Sequence, residues 1–477
     1  MTPKRSDMAA VTVPGDRYTP FSLAKKLGAL AILESASFSH GRERYSIILA
    51  REAFRIREDD AGVTFTIDGE ERPFAGGDIL DALMSVAAQN PLPPDGIPLP
   101  GAGVGFLGYE FAARCDTIKI QKNPDTIGIP ESEFIVGHVY VVFDHFTDVI
   151  HIFALNYDEH EIDLAGAVAD IRKRLHDLDF SYLEPPADAF ESEVVSDEKA
   201  QKERFVSGVR AIKDHITRGN LLQAVMSRRL VLESTENALE GYRRLRSKSP
   251  SPYLFYLDFG AYQIIGASPE SLVRVRDSVA SIRPIAGTRR RGQTPEEDAA
   301  LKAELLADPK ERAEHLMLVD LARNDLGRVC VPGSVRLTRN MEVELFSHVM
   351  HIVSDVTGET GKGAPSGIDV LRAAFPAGTV SGAPKIRAIE ILSGLESDRR
   401  TFYAGAVGYV EPDGDLDFCI AIRCALKKKN RWYLQAGAGI VAASDPEREW
   451  EETNEKLSAL RSVLEGKDVK KKQGSAS

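Results

Sequence analysis

A chain of 477 residues with 43% hydrophobic and 27% charged residues reads as an ordinary soluble globular protein. Its formal net charge of −11 argues against nucleic-acid binding as its main business, and no apolar run approaches the ~20 residues needed to cross a bilayer. The 4 cysteines form no CxxC pair and no disulfide-dense pattern, which fits a reducing cytoplasm.

Taken in chain order, Lys25-Lys26 followed by LGALAIL is at the low limit for a signal-peptide core and is ended by Glu34, so no cleaved signal is expected. VTFTI at 63–67 and HVYVVF at 138–143 read as strands, and GAGVGFLGYEF at 101–111 as a Gly-rich strand and turn. The best break in composition is YLEPPADAFESEVVSDEK, residues 182–199. It divides the chain into an N-terminal region 1–190, a second region 191–465 and a polar, Lys-rich tail 466–477.

In the second region, Ser278 to Ile282 alternates as a half-buried strand does. It runs into RPIAGTRRRG at 283–292, either the lip of a site that receives an anion or a hairpin end with solvated arginines. Asp308-Pro309 announces a helix, with Leu316, Val319 and Leu326 toward the core, and Asp445-Pro446 announces another with Leu457, Leu460 and Leu464 as its buried stripe. Each carries two glutamates three apart near its start, Glu311 with Glu314 and Glu449 with Glu452. Acids there suit the helix dipole. Brought together from two helices they would repel unless a cation stood between them, and oxygen ligands favour magnesium.

No DxDxDG, HExxH or CxxC pattern supports calcium or zinc. FPAGTVSGAPKIRAIEIL at 375–392 is either an anion cradle before a helix opened by Pro384 or a simple turn and cap, and it is not a Walker A loop. The glycines of QAGAGIVAASD at 435–445 are a weaker signal of the same kind. These residues point to a magnesium-assisted site for a small, multiply anionic substrate.

RPIAGTRRRG, ERAEHLMLVDLARNDLGRV, HVMHIVSDVTG, FPAGTVSGAPKIRAIEIL, FCIAIR and DPEREWEET follow one another within 260–455, and in that order the chain resembles component I of anthranilate synthase, in the chorismate-utilising family. AILESASF at 31–38 and GVGFLGYEF at 103–111 match more loosely. The resemblance implies an α+β fold of two antiparallel sheets packed together with helices outside. It implies chorismate as substrate, Mg2+ as cofactor, and attack of ammonia at ring C2 with loss of the C4 hydroxyl and then of pyruvate. By the same resemblance Glu314 and Glu452 match metal ligands, with Glu311 and Glu449 as water-mediated partners. Glu270 matches the general acid and His351 the histidine of the elimination step. Tyr403 and Arg423 match contacts to the enolpyruvyl carboxylate, and Gly287, Thr288, Gly437, Ala438 and Gly439 the substrate-cradling backbone.

Two further positions speak to the product. Relatives that make 4-amino-4-deoxychorismate resemble this chain but carry a nucleophilic lysine where Ala286 stands, and isochorismate-forming relatives carry a lysine base where Gln223 stands. Both residues here favour anthranilate over those alternatives, and a silent chorismate-binding regulatory subunit would be expected to have lost part of the site. No cysteine lies in a GxCxG turn, so a separate glutamine amidotransferase subunit is expected to supply ammonia. Finally, Leu33-Glu34-Ser35 and SPSPYLF at 249–255 resemble the family's L-tryptophan site, with Ser35, Pro252, Tyr253 and Leu254 as contacts, Leu254 standing where methionine is more usual. The two segments would have to meet in space.

Overall fold

Two long strands, Tyr45–Asp59 and Ser132–Asp144, pair antiparallel along almost their whole length. Val, Ile, Phe and Tyr dominate them, side chains that fit a pleated and enclosed surface. Every residue of Ser132–Asp144 is buried, as a strand covered on both faces must be. Register shifts between Leu49 and Phe54 break the ladder, and such bulges bend a strand and increase its twist. Neighbours change at the bend. On one side the pair is flanked by Ala31–Glu34 and Val149–Leu155, and on the other by Gly62–Ile67 and Val104–Leu107.

The computed structural model describes residues 8–37, 41–42, 44–177, 192–345, 349–360 and 367–465. The tail 466–477 and the boundary at 190–191 lie outside the described residues. Within them, 22 strands form one hydrogen-bonded network that folds over at the two bent strands into two layers. The expected α+β architecture of two packed antiparallel sheets is there, with one addition: the sheets are continuous. Each layer draws strands from before and after the masked stretch 178–191. Ala31–Glu34 pairs with Tyr253–Asp258, and Val104–Leu107 with Ala406–Val410.

Phe54, Phe106, Phe134, Phe255 and Phe418 fill the space between the layers. Helices Pro20–Leu27, Leu164–His176, Ala238–Lys248 and Pro446–Leu464 cover the outer face of the first layer with Leu23, Ile171, Tyr242 and Leu457.

Both expected helices begin as read. Asp308 accepts from the Lys310 and Glu311 amides ahead of Pro309–Gly327, and Asp445 from those of Glu447 and Arg448 ahead of Pro446–Leu464. Leu457, Leu460 and Leu464 are buried, as are Val319 and Leu326. Leu316 is not: it is 47% exposed. The inward stripe is His315, Val319, Ala322 and Leu326, spaced four, three and four apart, and His315 completes it by pairing Nε2 with Ser354 Oγ at 2.7 Å. Leu316, one position off that stripe, turns outward.

Phe134 sits fully buried at the centre of the interlayer core, 6.2 Å from the ring of Phe418. Phe134→Ala is expected to lower the unfolding free energy by about 3–5 kcal/mol in urea titration. A loss under ~1 kcal/mol would show that the layers do not meet there.

Candidate active site

Strand Arg431–Ile440 lies beside Gln223–Ser234, with Gly439 opposite Val225 and Gly437 opposite Ser227. Glycine is needed at 437, where backbone stands close, and at 439 it leaves room for a side chain. A Cβ on Gly437 would stand 2.8 Å from the Met226 carbonyl oxygen and 3.1 Å from Tyr403 Oη, and one on Gly439 would stand 2.8 Å from Gln223 Nε2. The bare strand lets Tyr403 and Gln223 lie over it, so Gln223, Tyr403 and Gly437-Ala438-Gly439 form one wall. Burial pushes the Tyr403 hydroxyl up to about 12 against Arg400 and Arg423, leaving it a neutral donor.

Tyr403 is carried by a tight loop. Thr401 and Ala404 flank it at φ 56° and 62°, and Arg423 on the neighbouring connection sits at 52°. Left-handed backbone costs a non-glycine residue on the order of 1–3 kcal/mol and survives only where the surroundings enforce it. Here they do. The buried Arg400 guanidinium donates to both carboxylate oxygens of Glu396 at 2.7 Å, to the Val380 carbonyl at 2.8 Å and to the Val225 carbonyl at 2.7 Å.

The facing wall comes from the second layer. Strand Ile285–Arg290 pairs with Val349–Glu359, and the register slips between Ala286 and Thr288 because Gly287, at φ 70°, is an extra residue. The bulge turns the Gly287 carbonyl to His351, whose Nδ1 donates to it at 2.9 Å and also lies 3.1 Å from Thr288 Oγ1. A carbonyl only accepts, so Nδ1 carries the proton and Nε2 is left with its lone pair. Burial, reinforced by Arg423, lowers the His351 pKa.

Glu270 follows strand Gln263–Ser268, and burial raises its carboxyl to about 7 against the opposing pulls of Thr379, Arg423 and Lys456. The Thr379 hydroxyl is buried and finds no partner at ordinary hydrogen-bond distance, although it lies near enough to Glu270 to lower its pKa.

The two helices bring their glutamates to the same place. Glu314 is raised first by burial and then by Glu311 and Glu452, while Lys310, 3.7 Å away, lowers it. Glu449 is raised by burial and by Glu452. Lys456 ties the second helix to the glycine strand, 2.7 Å from Glu452 Oε1 and donating to the Gly437 carbonyl at 2.8 Å. Among the described residues no three acids, histidines or cysteines converge as a ready-made metal cage. Two of the carboxylates pair with lysines, Glu314 with Lys310 and Glu452 with Lys456, and Glu311 pairs with Arg289.

Of the two readings open for the arginines of RPIAGTRRRG, an anion lip or a hairpin end with solvated side chains, neither describes Arg289 and Arg291. Arg289 pairs with Glu304, Asp308 and Glu311 at 3.0, 2.7 and 3.3 Å, and Arg291 with Asp298 at 2.6 Å, so these two cations lock the turn to neighbouring acids. Lys385, in the other candidate cradle, turns inward to Asp325 at 2.9 Å. Thr379, Arg400 and Lys456 are the side chains at this site that sequence reading passed over. Only Lys456 left a trace there, as the i+4 partner of Glu452.

The two segments of the second expected site do meet. Leu33 lies opposite Phe255 and Glu34 opposite Leu254, and the Ala36 amide donates to the Ser251 carbonyl at 3.0 Å. Ser35, Pro252 and Tyr253 are half-buried and Leu254 is buried. Glu34 beneath them accepts from Tyr242 and Arg246.

Titration of the Glu270 carboxyl, followed by infrared or carbon NMR, is expected near pH 7, and Arg423→Gln should move it higher, because the guanidinium favours the ionised form. A midpoint in the ordinary glutamate range, or a downward move in the variant, would contradict this environment.

Comparison with known proteins matches residues 38–462 to the chorismate binding enzyme family. Anthranilate synthase component 1 of Spirochaeta aurantia is 53% identical over 455 residues, 95% of this chain and 94% of the relative. That of Aquifex aeolicus is 42% identical, over 94% of this chain and 93% of the relative. Among solved structures, anthranilate synthase component I from Streptococcus pneumoniae superposes with a TM-score of 0.78 at 38% identity, covering 88% of this chain and 92% of that one.

Proposed function

The chain belongs to the chorismate binding enzyme family, and on that premise we propose that it converts chorismate and ammonia to anthranilate and pyruvate. It is an enzyme acting on chorismate, and the product is the open question. One observation carries the anthranilate reading. Gln223 lies against the Gly439 strand and Ala286 beside the Gly287 bulge, and neither offers an amine nucleophile or a base able to activate water. The nucleophile must therefore arrive as a free molecule, and ammonia suits a site without a resident nucleophile.

Four groups are disposed to carry the steps. Glu270, raised to about 7, is available as the acid that protonates the C4 hydroxyl as C2 is attacked. Neutral His351, its Nδ1–H fixed on the Gly287 carbonyl, presents Nε2 to take a ring proton as pyruvate leaves and the ring becomes aromatic. Arg423 and the Tyr403 hydroxyl are the donors for the enolpyruvyl carboxylate, and Thr288 with Gly437, Ala438 and Gly439 lines the bed for the ring.

The crowding of Glu314 by Glu311 and Glu452 fits a bound divalent cation, and an all-oxygen donor set suits Mg2+. We read Glu314 and Glu452 as its ligands, with Glu311 and Glu449 reaching it through water; bound there it would neutralise the ring carboxylate of the substrate. Residues 191–465 carry these groups, and residues 1–190 supply part of an L-tryptophan site at Ser35, Pro252, Tyr253 and Leu254. The component 1 names of the relatives imply a second component, read here as a glutamine amidotransferase that delivers ammonia in the cytoplasm.

Purified chain given chorismate, Mg2+ and ammonium is expected to produce anthranilate fluorescence, and to produce none with glutamine in place of ammonium. Glu314→Gln or Glu452→Gln should lower turnover about 100-fold or more, a loss of several kcal/mol of charge neutralisation. An aminated but non-aromatic product, isochorismate, or full activity in those variants would overturn the reading.

L-Tryptophan should inhibit the parent enzyme, and Ser35→Arg should fill the pocket and relieve inhibition while leaving uninhibited turnover within about twofold. Equal inhibition in parent and variant would remove the effector site.

A further inference from the structure

Residues 375–384 join helix Gly367–Ala374 to helix Lys385–Leu395, and Thr379 lies on the single turn Gly378–Val380 within them. The turn is held close. A Cβ on Gly378 would stand 1.7 Å from Leu321 Cδ2 on helix Pro309–Gly327, the Val380 carbonyl accepts from Arg400 at 2.8 Å, and the Ser381 carbonyl accepts from the Val225 amide at 2.9 Å.

One side chain closes the base of this loop. Lys385, the first residue of the second helix, turns back so that Nζ donates to the Ala374 carbonyl at 3.2 Å and the Ala373 carbonyl at 3.4 Å, groups at the end of the first helix that have no helical donor. Nζ also donates to Asp325 Oδ2 at 2.9 Å. A single ammonium, with its three N–H groups, thus fastens the two ends of the loop to each other and both to the helix that carries Glu314.

The pair is buried. The Lys385 and Asp325 side chains are 11% and 6% exposed, and burial raises the Asp325 carboxyl while Lys385 lowers it. A buried ion pair is often no more stable than apolar groups of the same volume, so what it adds is a fixed geometry. Asp325, Thr379 and Glu270 all border one cavity of about 40 Å³, with Leu318, Leu321 and Ala322 on its helix side. The cations that act on Glu270 are Arg423 and Lys456, so the route from the pair to Glu270 is the loop and its Thr379 hydroxyl.

We propose that Lys385 and Asp325 are positioning residues for the acid step: by closing the loop they hold the Thr379 hydroxyl beside Glu270. The proposal rests on the reading of Glu270 as the acid of the reaction.

Its test is the Glu270 carboxyl, titrated in the full chain without substrate as the infrared difference from Glu270→Gln protein. Thr379→Val removes a hydroxyl that favours the carboxylate and should raise the midpoint. Lys385→Met and Asp325→Leu should each raise it as well. Through-space charge alone would move these two in opposite directions, up for the lost cation and down for the lost anion, and that result overturns the proposal. Lys385→Met combined with Asp325→Leu exchanges the ion pair for apolar groups, a change often neutral for stability, and gives a folded variant where a single one fails. In it the midpoint should rise, and adding Thr379→Val should raise it no further; an unchanged midpoint, or a full second rise, overturns the proposal. With chorismate and ammonium its kcat should fall at least about tenfold, within the roughly 10²–10⁴ that general acid catalysis contributes, while KM stays within about threefold. A raised KM at unaltered kcat overturns the proposal too. Failure of the parent chain to turn over chorismate would count against the reading of the reaction alone, because the titration uses no substrate.

Discussion

One buried ion pair, Arg400 with Glu396, holds the candidate active site together. Its guanidinium is 1% exposed and ties the end of helix Lys385–Leu395 to the Val380 carbonyl beside Thr379 and to the Val225 carbonyl beneath Gly439. Its own carbonyl accepts from the Tyr403 amide at 3.3 Å. From the N-terminal part of the chain, Glu110 accepts from the Arg400 and Thr401 amides at 2.8 and 3.1 Å, and the Tyr109 ring lies 4.4 Å under the guanidinium. The strand beneath Gly439, the turn that bears Thr379 and the loop that bears Tyr403 are thus fastened to one side chain. Burying it is tolerable because its charge is met bidentately and four of its N–H groups are used. The left-handed Thr401 and Ala404 persist because this hub leaves the loop no other course.

Desolvation then does opposite things to opposite groups. It raises Glu270 and lowers His351, so near pH 7 the histidine is neutral while the glutamate is divided about equally between acid and carboxylate. Burial is the main cause at both, and Arg423 acts on both as well, lowering each. Pairs of titratable groups driven apart by their surroundings mark acid and base assignments. The four glutamates on the two helices lie in the same field, where Lys310 pairs with Glu314, Lys456 with Glu452 and Arg289 with Glu311.

What could be read from the sequence was local. Asp-Pro starts located both glutamate-bearing helices because a side-chain cap and a proline in the first turn are contiguous signals. Leu316 went astray because the inward place was taken by a histidine, a residue that apolar periodicity does not count. Arg289 and Arg291 stayed open between anion ligands and solvated side chains because their partners, Asp298, Glu304 and Asp308, come from helices packed back on the strand. The continuity of the two sheets was invisible as well: bulges at 49–54 depend on pairing between distant strands and have no fixed residue signature. The family motifs supplied the site residues, and geometry supplied Arg400, Thr379 and Lys456.

The antiparallel pairing also gives the proposed effector region a short route to the acid. Ser35 follows strand Ala31–Glu34, which pairs with Tyr253–Asp258, and Tyr253 lies directly opposite Ser268, two residues before Glu270. Its hydroxyl donates to Asp417 at 2.9 Å, and Asp417 belongs to strand Leu416–Ile420, whose last residue donates its amide to the Glu270 carbonyl at 3.0 Å. Proximity along a ladder is not coupling; a shift is passed on only if the linking element has two arrangements that both sites prefer differently. The strand pair here is regular from Tyr253 to Asp258, with no bulge to absorb a displacement. Coupling along this route would require the strand pair to hold a second arrangement that a ligand between Ser35 and Leu254 prefers. Glu270, whose carbonyl is held by the Ile420 amide, is the site group that the ladder reaches through its backbone.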